Sequence, residues 1–260
     1  MPFVTIAGRA LHYEERGEGR PLLLLHGFPF SSESFWPQLD SPPEGVRLIV
    51  PDHRGFGKSA PGEGVSTMEA LADDALALLD ALSIPQAIVG GVSMGGYVAI
   101  ALARRDPGRV KALVLIDTQA SADDEAGRAR REAVAREVEE KGLGPLAEAM
   151  LPKLLAPATS ADVKARVDRM MRAQSPAATA AASRGMATRT DGRDLLSRFG
   201  GPCLIVVGEH DVVTPVDKAK AMAALVPQAR LEIVPGAGHL PNLEQPEAFA
   251  RALGAFLGSA

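Results

Sequence analysis

Gly91-Val92-Ser93-Met94-Gly95 follows the apolar run Ala87-Ile88-Val89-Gly90 and opens the helix-like stretch Gly96-Tyr97-Val98-Ala99-Ile100-Ala101-Leu102. A serine between strand and helix, with a glycine two positions away on each side, is the pattern of a nucleophile elbow. The spacing has a steric cause. The serine must sit on a sharp, strained turn that pushes its hydroxyl out of the sheet, and only residues without a Cβ let strand and helix approach so closely. The following helix turns unpaired N–H groups and partial positive charge toward any oxyanion that forms beside Ser93.

The rest of the chain has the organisation such a turn needs. Short apolar runs alternate with longer amphipathic ones, as in a mostly parallel sheet with helices on both faces. Strands are expected at 10–15, 21–25, 46–50, 87–90, 110–116, 203–207 and 230–234, and Phe3-Val4-Thr5-Ile6 enters a strand pattern at once. Ser66-Thr67-Met68-Glu69 reads as a capping box, after which Leu71, Ala75, Leu78, Leu79 and Leu82 share one helix face. Thr214-Pro215 predicts an N-cap before a first-turn proline, with a helix running to about residue 226. A last helix is expected over 246–257, burying Phe249, Leu253 and Phe256.

Residues 119–190 break the alternation. They contain no strand-like run, are rich in Ala, Arg and Glu, and fall in a stretch without aromatic residues between Tyr97 and Phe199. Glu132/Arg136 and Val134/Val138 have i,i+4 helical spacing, and Ser175-Pro176 predicts another helix start. The expected division is a core of residues 1–118 and 191–260 with a helical cap, 119–190, over the C-terminal edge of the sheet.

Composition narrows the function classes. The 260 residues suffice for one large α/β domain or a core with an inserted subdomain. With 46% apolar and 23% charged residues the chain reads as an ordinary globular protein rather than a disordered one. The net charge of −4, with both signs interspersed, leaves no basic stripe for nucleic acid or an anionic membrane. Cys203 is the single cysteine, which excludes an intramolecular disulfide and a cysteine-built zinc site, and its place before Leu204-Ile205-Val206-Val207 makes it a buried strand residue. No apolar run approaches the ~20 residues of a membrane span. The first residues carry no basic region followed by a long apolar stretch, so no signal peptide is expected and the location is read as cytoplasmic.

A serine nucleophile needs a base to take its proton and an acid to orient that base. Among five histidines, His239 stands in the glycine-rich loop Pro235-Gly236-Ala237-Gly238-His239-Leu240-Pro241, between the last strand and the last helix. Such loops, at the C-terminal edge of an open α/β sheet, are where active-site groups sit. Asp211, in Gly208-Glu209-His210-Asp211, has the equivalent place after the preceding strand. The order Ser93…Asp211…His239 is the one known from α/β-hydrolases.

The segments Val89-Gly90-Gly91-Val92-Ser93-Met94-Gly95-Gly96, His26-Gly27-Phe28-Pro29, Asp52-His53-Arg54-Gly55-Phe56-Gly57-Lys58-Ser59, Gly208-Glu209-His210-Asp211 and Gly238-His239 together resemble the α/β-hydrolase superfamily in order and spacing. Within it the chain is similar to small cap-bearing bacterial carboxylesterases, near the enol-lactonases and cofactor-free perhydrolases. The resemblance implies an α/β-hydrolase fold, a Ser93–Asp211–His239 triad and an oxyanion hole made by the backbone N–H groups of Phe28 and Met94. It implies no metal and no organic cofactor.

Other residues take structural readings. His26 is expected to brace its loop, and Asp52 and Arg54 to pair or cap within theirs. Asp117, at a strand end on the same edge, is the alternative triad acid. Gly57-Lys58-Ser59 is no P-loop, since Asp52 stands where that motif requires glycine. Met150, Met170, Met171 and Met186 read as packing residues, some of them able to face substrate. Dehalogenases and epoxide hydrolases of the superfamily attack with aspartate at the elbow, and the epoxide enzymes also use cap tyrosines; Ser93 and a tyrosine-free cap point away from both. Aminopeptidase-like relatives need acidic cap groups at the site, and nothing directs Glu125, Glu137, Glu139 or Glu148 there. The expected activity is serine carboxylesterase, with a small-molecule ester as partner and a modest apolar pocket suited to short or medium acyl chains. Enol-lactone hydrolysis, carbon–carbon bond hydrolysis, perhydrolysis favoured by Pro29, and a ligand receptor on an inactive hydrolase scaffold remain as alternatives, with the oligomeric state open.

Overall fold

The computed structural model describes residues 2–259. Among these, eight strands form one sheet in the order β1-β2-β4-β3-β5-β6-β7-β8. They are β1 (Phe3–Ile6), β2 (Arg9–Arg16), β3 (Arg20–Leu25), β4 (Val46–Pro51), β5 (Ala87–Val92), β6 (Val110–Ile116), β7 (Cys203–Gly208) and β8 (Ala229–Val234). The β1–β2 and β2–β4 pairs are antiparallel, and every pair from β4 to β8 is parallel. The central strands β5 and β7 are buried at every position, as strands covered on both faces must be.

Alternate residues feed two cores. Leu23, Leu25, Val89, Leu113, Leu115, Ile205 and Val207 face one side, where α2 (Met68–Ala81), α3 (Met94–Arg105), α8 (Arg193–Arg198) and α9 (Val216–Ala223) pack. Leu22, Leu24, Leu48, Val50, Val114, Ile116, Leu204 and Val206 face the other, against α1 (Trp36–Asp40), α10 (Pro241–Glu244) and α11 (Pro246–Leu257). Phe249, Leu253 and Phe256 of α11 are buried there, as their spacing predicts. Each fully buried aliphatic or aromatic side chain contributes about 1.5–3 kcal/mol, so the double-sided sheet is the rigid body of the molecule.

Between β6 and β7 the chain forms α4 (Glu125–Lys141), α5 (Leu143–Leu154), α6 (Ala161–Arg172) and α7 (Pro176–Ala187) before α8, with no strand among the described residues. Small residues let α7 approach closely: Ala178, Ala182 and Gly185 are buried, and a Cβ on Gly185 would overlap the carbonyl of Ser66. Hydrogen bonds also tie the segment down, from Ser66 N–H to the Ala181 carbonyl at 3.2 Å, from Gly57 N–H to Gln174 Oε1 at 3.0 Å and from Gly192 N–H to the Ala120 carbonyl at 2.7 Å. No helix among the described residues is long and apolar enough to cross a membrane.

Two helix starts differ from expectation. Thr67, not Ser66, caps α2, accepting from Ala70 N–H at 3.1 Å, while Glu69 reaches out to the Thr190 hydroxyl instead of back to the cap. Thr214 does not cap α9, which begins at Val216 and ends at Ala223; its hydroxyl is drawn to a buried carboxylate. In the first case Glu69 takes a distant partner, and in the second Thr214 takes a carboxylate three residues back along the chain.

Candidate active site

β5 ends at Val92 and α3 begins at Met94, so Ser93 alone makes the turn. Its φ of 53° lies in the left-handed region that a side chain other than glycine adopts only under constraint. The constraint is visible in the glycines. A Cβ on Gly91 would overlap the Gly95 backbone, and one on Gly95 would overlap the Leu25 carbonyl at the end of β3. Ser93 N–H is held by the Ile116 carbonyl at 2.9 Å, and the Ser93 carbonyl accepts from Gly96 N–H and the Thr118 hydroxyl. The turn is therefore anchored to β6 and to the chain just beyond it.

The loop after β3 lies beside this turn. A Cβ on Gly27 would sit 3.5 Å from that of Ser93. Phe28 follows, and Met94 is the first residue of α3, where an N–H has no acceptor within the helix. Neither N–H donates to another group among the described residues. His26 braces this loop as expected: its Nδ1–H donates to the Gly27 carbonyl at 2.9 Å and its Nε2 accepts from His53 N–H at 3.0 Å. Burial lowers the pKa of both His26 and His53, whose rings lie 4.2 Å apart at a tilt of 53°, so both serve as neutral structural groups.

His239 follows β8 and is almost wholly buried. Its Nδ1–H donates to Asp211 Oδ2 at 2.8 Å, which leaves Nε2 as the basic nitrogen. Asp211 takes three further donors: Val213 N–H and Thr214 N–H on Oδ1, at 2.7 and 3.0 Å, and the Thr214 hydroxyl on Oδ2 at 2.7 Å. Burial alone would raise the Asp211 pKa; the hydrogen bond and charge of His239, joined by Thr214, outweigh it and hold the carboxyl well below the usual range. Ser93, His239, Thr214 and Phe28 line one cavity of about 370 Å³, which is also lined from the helical segment by Met150 and Met186 among others. Met170 and Met171, by contrast, are buried in the core on the α11 side of the sheet.

Asp117 lies behind this pair. Its Oδ1 accepts from Gly208 N–H at 2.9 Å and its Oδ2 has no partner among the described residues. Burial, reinforced by the negative charge of Asp211, pushes its pKa well above the carboxylate range. Asp117, Asp211 and His239 each offer one ligand atom within 4.8 Å of the others, the one such trio among the described residues. The four donors on Asp211, His239 Nδ1–H among them, make this a hydrogen-bond network rather than an open set of cation ligands.

Asp52 and Arg54 do not pair with each other. Asp52 accepts from Ser32 N–H, Lys58 N–H and His12 Nδ1, while Arg54 Nε donates to Asp74 at 2.6 Å. Phe30 and Phe35 are buried in the core rather than at the cavity, whose aromatic lining is Phe28 and Tyr97. Cys203 is buried in β7, and its thiol is pushed up to about 12, beyond reach of nucleophilic chemistry.

Two groups of the site escaped the sequence reading. Thr214 supports Asp211 directly. Glu244 in α10 accepts from the N–H groups of Gly238 and Leu240, which flank His239, and from Ala156 N–H and the Thr159 hydroxyl of the helical segment. His239 N–H itself donates to the Leu154 carbonyl at 2.8 Å. An acid in the first turn of a helix begun by Pro241 is the available signal, since such a carboxylate can reach back to the N-cap N–H.

The comparisons with known proteins agree with this geometry. Residues 20–246 match the family model of the alpha/beta hydrolase fold. The chain is 31% identical over 259 residues to 3-oxoadipate enol-lactonase 2 of Acinetobacter baylyi, covering 98% of this chain and 95% of that one. It is 32% identical over 257 residues to a non-heme haloperoxidase of Rhodococcus erythropolis, covering 92% and 93%. A thermophilic esterase from Thermogutta terrifontis superposes with a TM-score of 0.96 at 38% identity, over 99% of this chain and 98% of that one. With the strand order, the strained turn at Ser93 and a family match spanning most of its length, the chain belongs to the alpha/beta hydrolase fold family and is a hydrolase.

Proposed function

We propose that this hydrolase is a serine carboxylesterase in which Ser93, His239 and Asp211 form the catalytic triad and helices α4–α7 form a cap over it. The observation that carries the reading is the buried Asp211–His239 hydrogen bond of 2.8 Å at a cavity that also holds the strained Ser93 turn. His239 Nε2 takes the Ser93 proton as Oγ attacks the ester carbonyl, then donates it to the departing alcohol. Asp211 holds the imidazole tautomer and stabilises the imidazolium. Water activated by His239 then releases the acid from the acyl-enzyme. The N–H groups of Phe28 and Met94 receive the developing oxyanion, each such preorganised donor being worth ~3 kcal/mol in the transition state.

The similarity to an enol-lactonase supports a second reading on the same groups, because a lactone is an internal ester and its opening needs no change of machinery. Labelling with a fluorophosphonate tests the mechanism. One equivalent should attach to the wild-type protein and none to Ser93→Ala, and a folded wild-type protein that takes up no label would end the proposal. Turnover of matched open-chain esters and enol-lactones would then rank the two substrate forms.

A further inference from the structure

The charge lining the Ser93 cavity is opposite in sign to that of the chain. The protein carries −4 overall, yet the cavity is lined by Arg130, Arg131 and Lys153 against one acid, Asp123. Asp123 is already committed: it accepts from Arg189 at 2.8 Å and from Arg131 Nε at 3.2 Å. Arg189 is fixed in turn by the Met186 and Ser121 carbonyls and by the face of Tyr97, 4.3 Å away. Arg130 and Lys153 are different. Both are exposed, and neither has an acidic partner within ion-pair distance among the described residues.

Several other basic residues of the same segment are paired along their own helices, as Arg136 is with Glu132, Lys141 with Glu137 and Arg172 with Asp168, and those without an acidic partner among the described residues, such as Arg128, Lys164 and Arg169, do not line the cavity. Around Arg130 the positions three and four residues away hold Gly127, Ala126, Ala133 and Val134, so no local acid can neutralise it. Two exposed, uncompensated cations thus line a cavity whose other lining includes Leu146, Met150, Met186 and Val213. An anionic group on a substrate held in this cavity would meet exposed, unneutralised positive charge beside an apolar lining.

We propose that Arg130 and Lys153 form a carboxylate-binding subsite at the mouth of the Ser93 cavity, so that the preferred substrates are small esters or lactones that carry a carboxylate. The inference rests on the serine-hydrolase reading of Ser93 and His239. Cations held at a partly exposed rim attract a carboxylate before and during binding, and salt screens that attraction. The subsite therefore acts on KM more than on kcat.

The test compares matched substrates: monoethyl adipate against diethyl adipate, and 4-acetoxybenzoate against its methyl ester, which place the charge on the acyl and the alcohol side. In at least one pair the wild-type kcat/KM should favour the anionic member. That ratio should fall about tenfold or more in Arg130→Gln/Lys153→Gln, mainly through KM, and wild-type selectivity should shrink toward the variant's in about 0.5 M NaCl. A ratio that is the same in both proteins, or a wild-type preference for the neutral member of both pairs, overturns the subsite. Calorimetric titration of Ser93→Ala with adipate keeps the two readings apart. Tighter binding of the dianion by Ser93→Ala than by the triple variant that also carries both glutamines supports the subsite even if no ester is cleaved, and equal binding refutes it. Failure of every ester in wild type, with the titration positive, would instead refute the esterase reading alone.

Discussion

The rim of the sheet and the helical segment above it are held together by different means. At the rim, backbones touch where a Cβ would not fit, as at Gly91 and Gly95, and two buried carboxylates gather several donors each, four on Asp211 and three on Asp52. In the segment, α4 and α7 are joined by small buried side chains and by Arg184, which bridges Glu132 and Glu139 at the surface. Exposed pairs of that kind are each worth about 0.2–1 kcal/mol and tolerate exchange, whereas a buried carboxylate stripped of its donors costs several times more. On the proposed reading, the part that would touch the substrate can vary while the part that would break the bond stays within narrow geometric limits. At the His239 loop the two parts share a seam, at Leu154 to Thr159, where the segment hydrogen-bonds to that loop and to Glu244.

The sharpest test of the rim separates Asp211 from Asp117. Asp211→Asn should lower kcat by about 10³–10⁴-fold, because the amide favours the wrong imidazole tautomer. Asp117→Asn should stay within about tenfold of wild type, because a carboxyl whose pKa is raised by burial and by Asp211 is already close to a neutral amide in charge and shape. Steady-state rates on an activated ester decide it, and the reverse ranking would make Asp117 the working acid.

The seam is tested next. Glu244→Ala leaves the N–H groups of Gly238, Leu240 and Ala156 without their acceptor and should cost roughly 2–4 kcal/mol of stability. If Glu244 positions His239, kcat should also fall more than KM changes, in protein verified as folded by its urea transition. Normal kcat in a destabilised variant would mean that the segment and the histidine loop are coupled only in stability.

Within the segment, Met150→Trp and Met186→Trp narrow the cavity from its aliphatic side. They should lower turnover of bulky esters by about 10–100-fold while acetate esters lose less, since overpacking penalises only what must occupy the lost space. A uniform loss across the ester series would place these side chains in the support of the triad instead.

The smallest effect concerns Asp52. Burial pulls its pKa up, but the His12 hydrogen bond, with two backbone N–H donors, outweighs it and holds it down to about 2, against 3.8 for an ordinary aspartate. A depressed carboxyl stabilises the fold above its unfolded pKa and loses that contribution as pH falls through the folded one. Asp52 should therefore contribute roughly 2 kcal/mol that is present near neutrality and disappears between about pH 4 and pH 2. The stability gap between wild type and Asp52→Asn, followed by urea denaturation on acidification, should close across that window. A gap independent of pH would assign the loss to packing.

What was legible in the sequence was what local physics dictates. The strand runs, the glycine spacing around Ser93, the order Ser93…Asp211…His239 and the span of α11 follow from side-chain periodicity, steric exclusion at a turn and the placement of loops at the strand ends. Composition and neighbours along the chain contain that information. Only the tertiary structure decided which partner each polar group takes: Thr214 on Asp211 instead of on a helix start, Arg54 on Asp74 instead of Asp52, Glu244 between the histidine loop and the helical segment. It likewise decided that Arg130 and Lys153, ordinary surface cations in the sequence, line the cavity at Ser93. Such pairings join residues as far apart as Ala156 and Glu244, and they are chosen by the desolvation cost of leaving a buried donor or acceptor unpaired, a cost that exists only once the chain has folded around it.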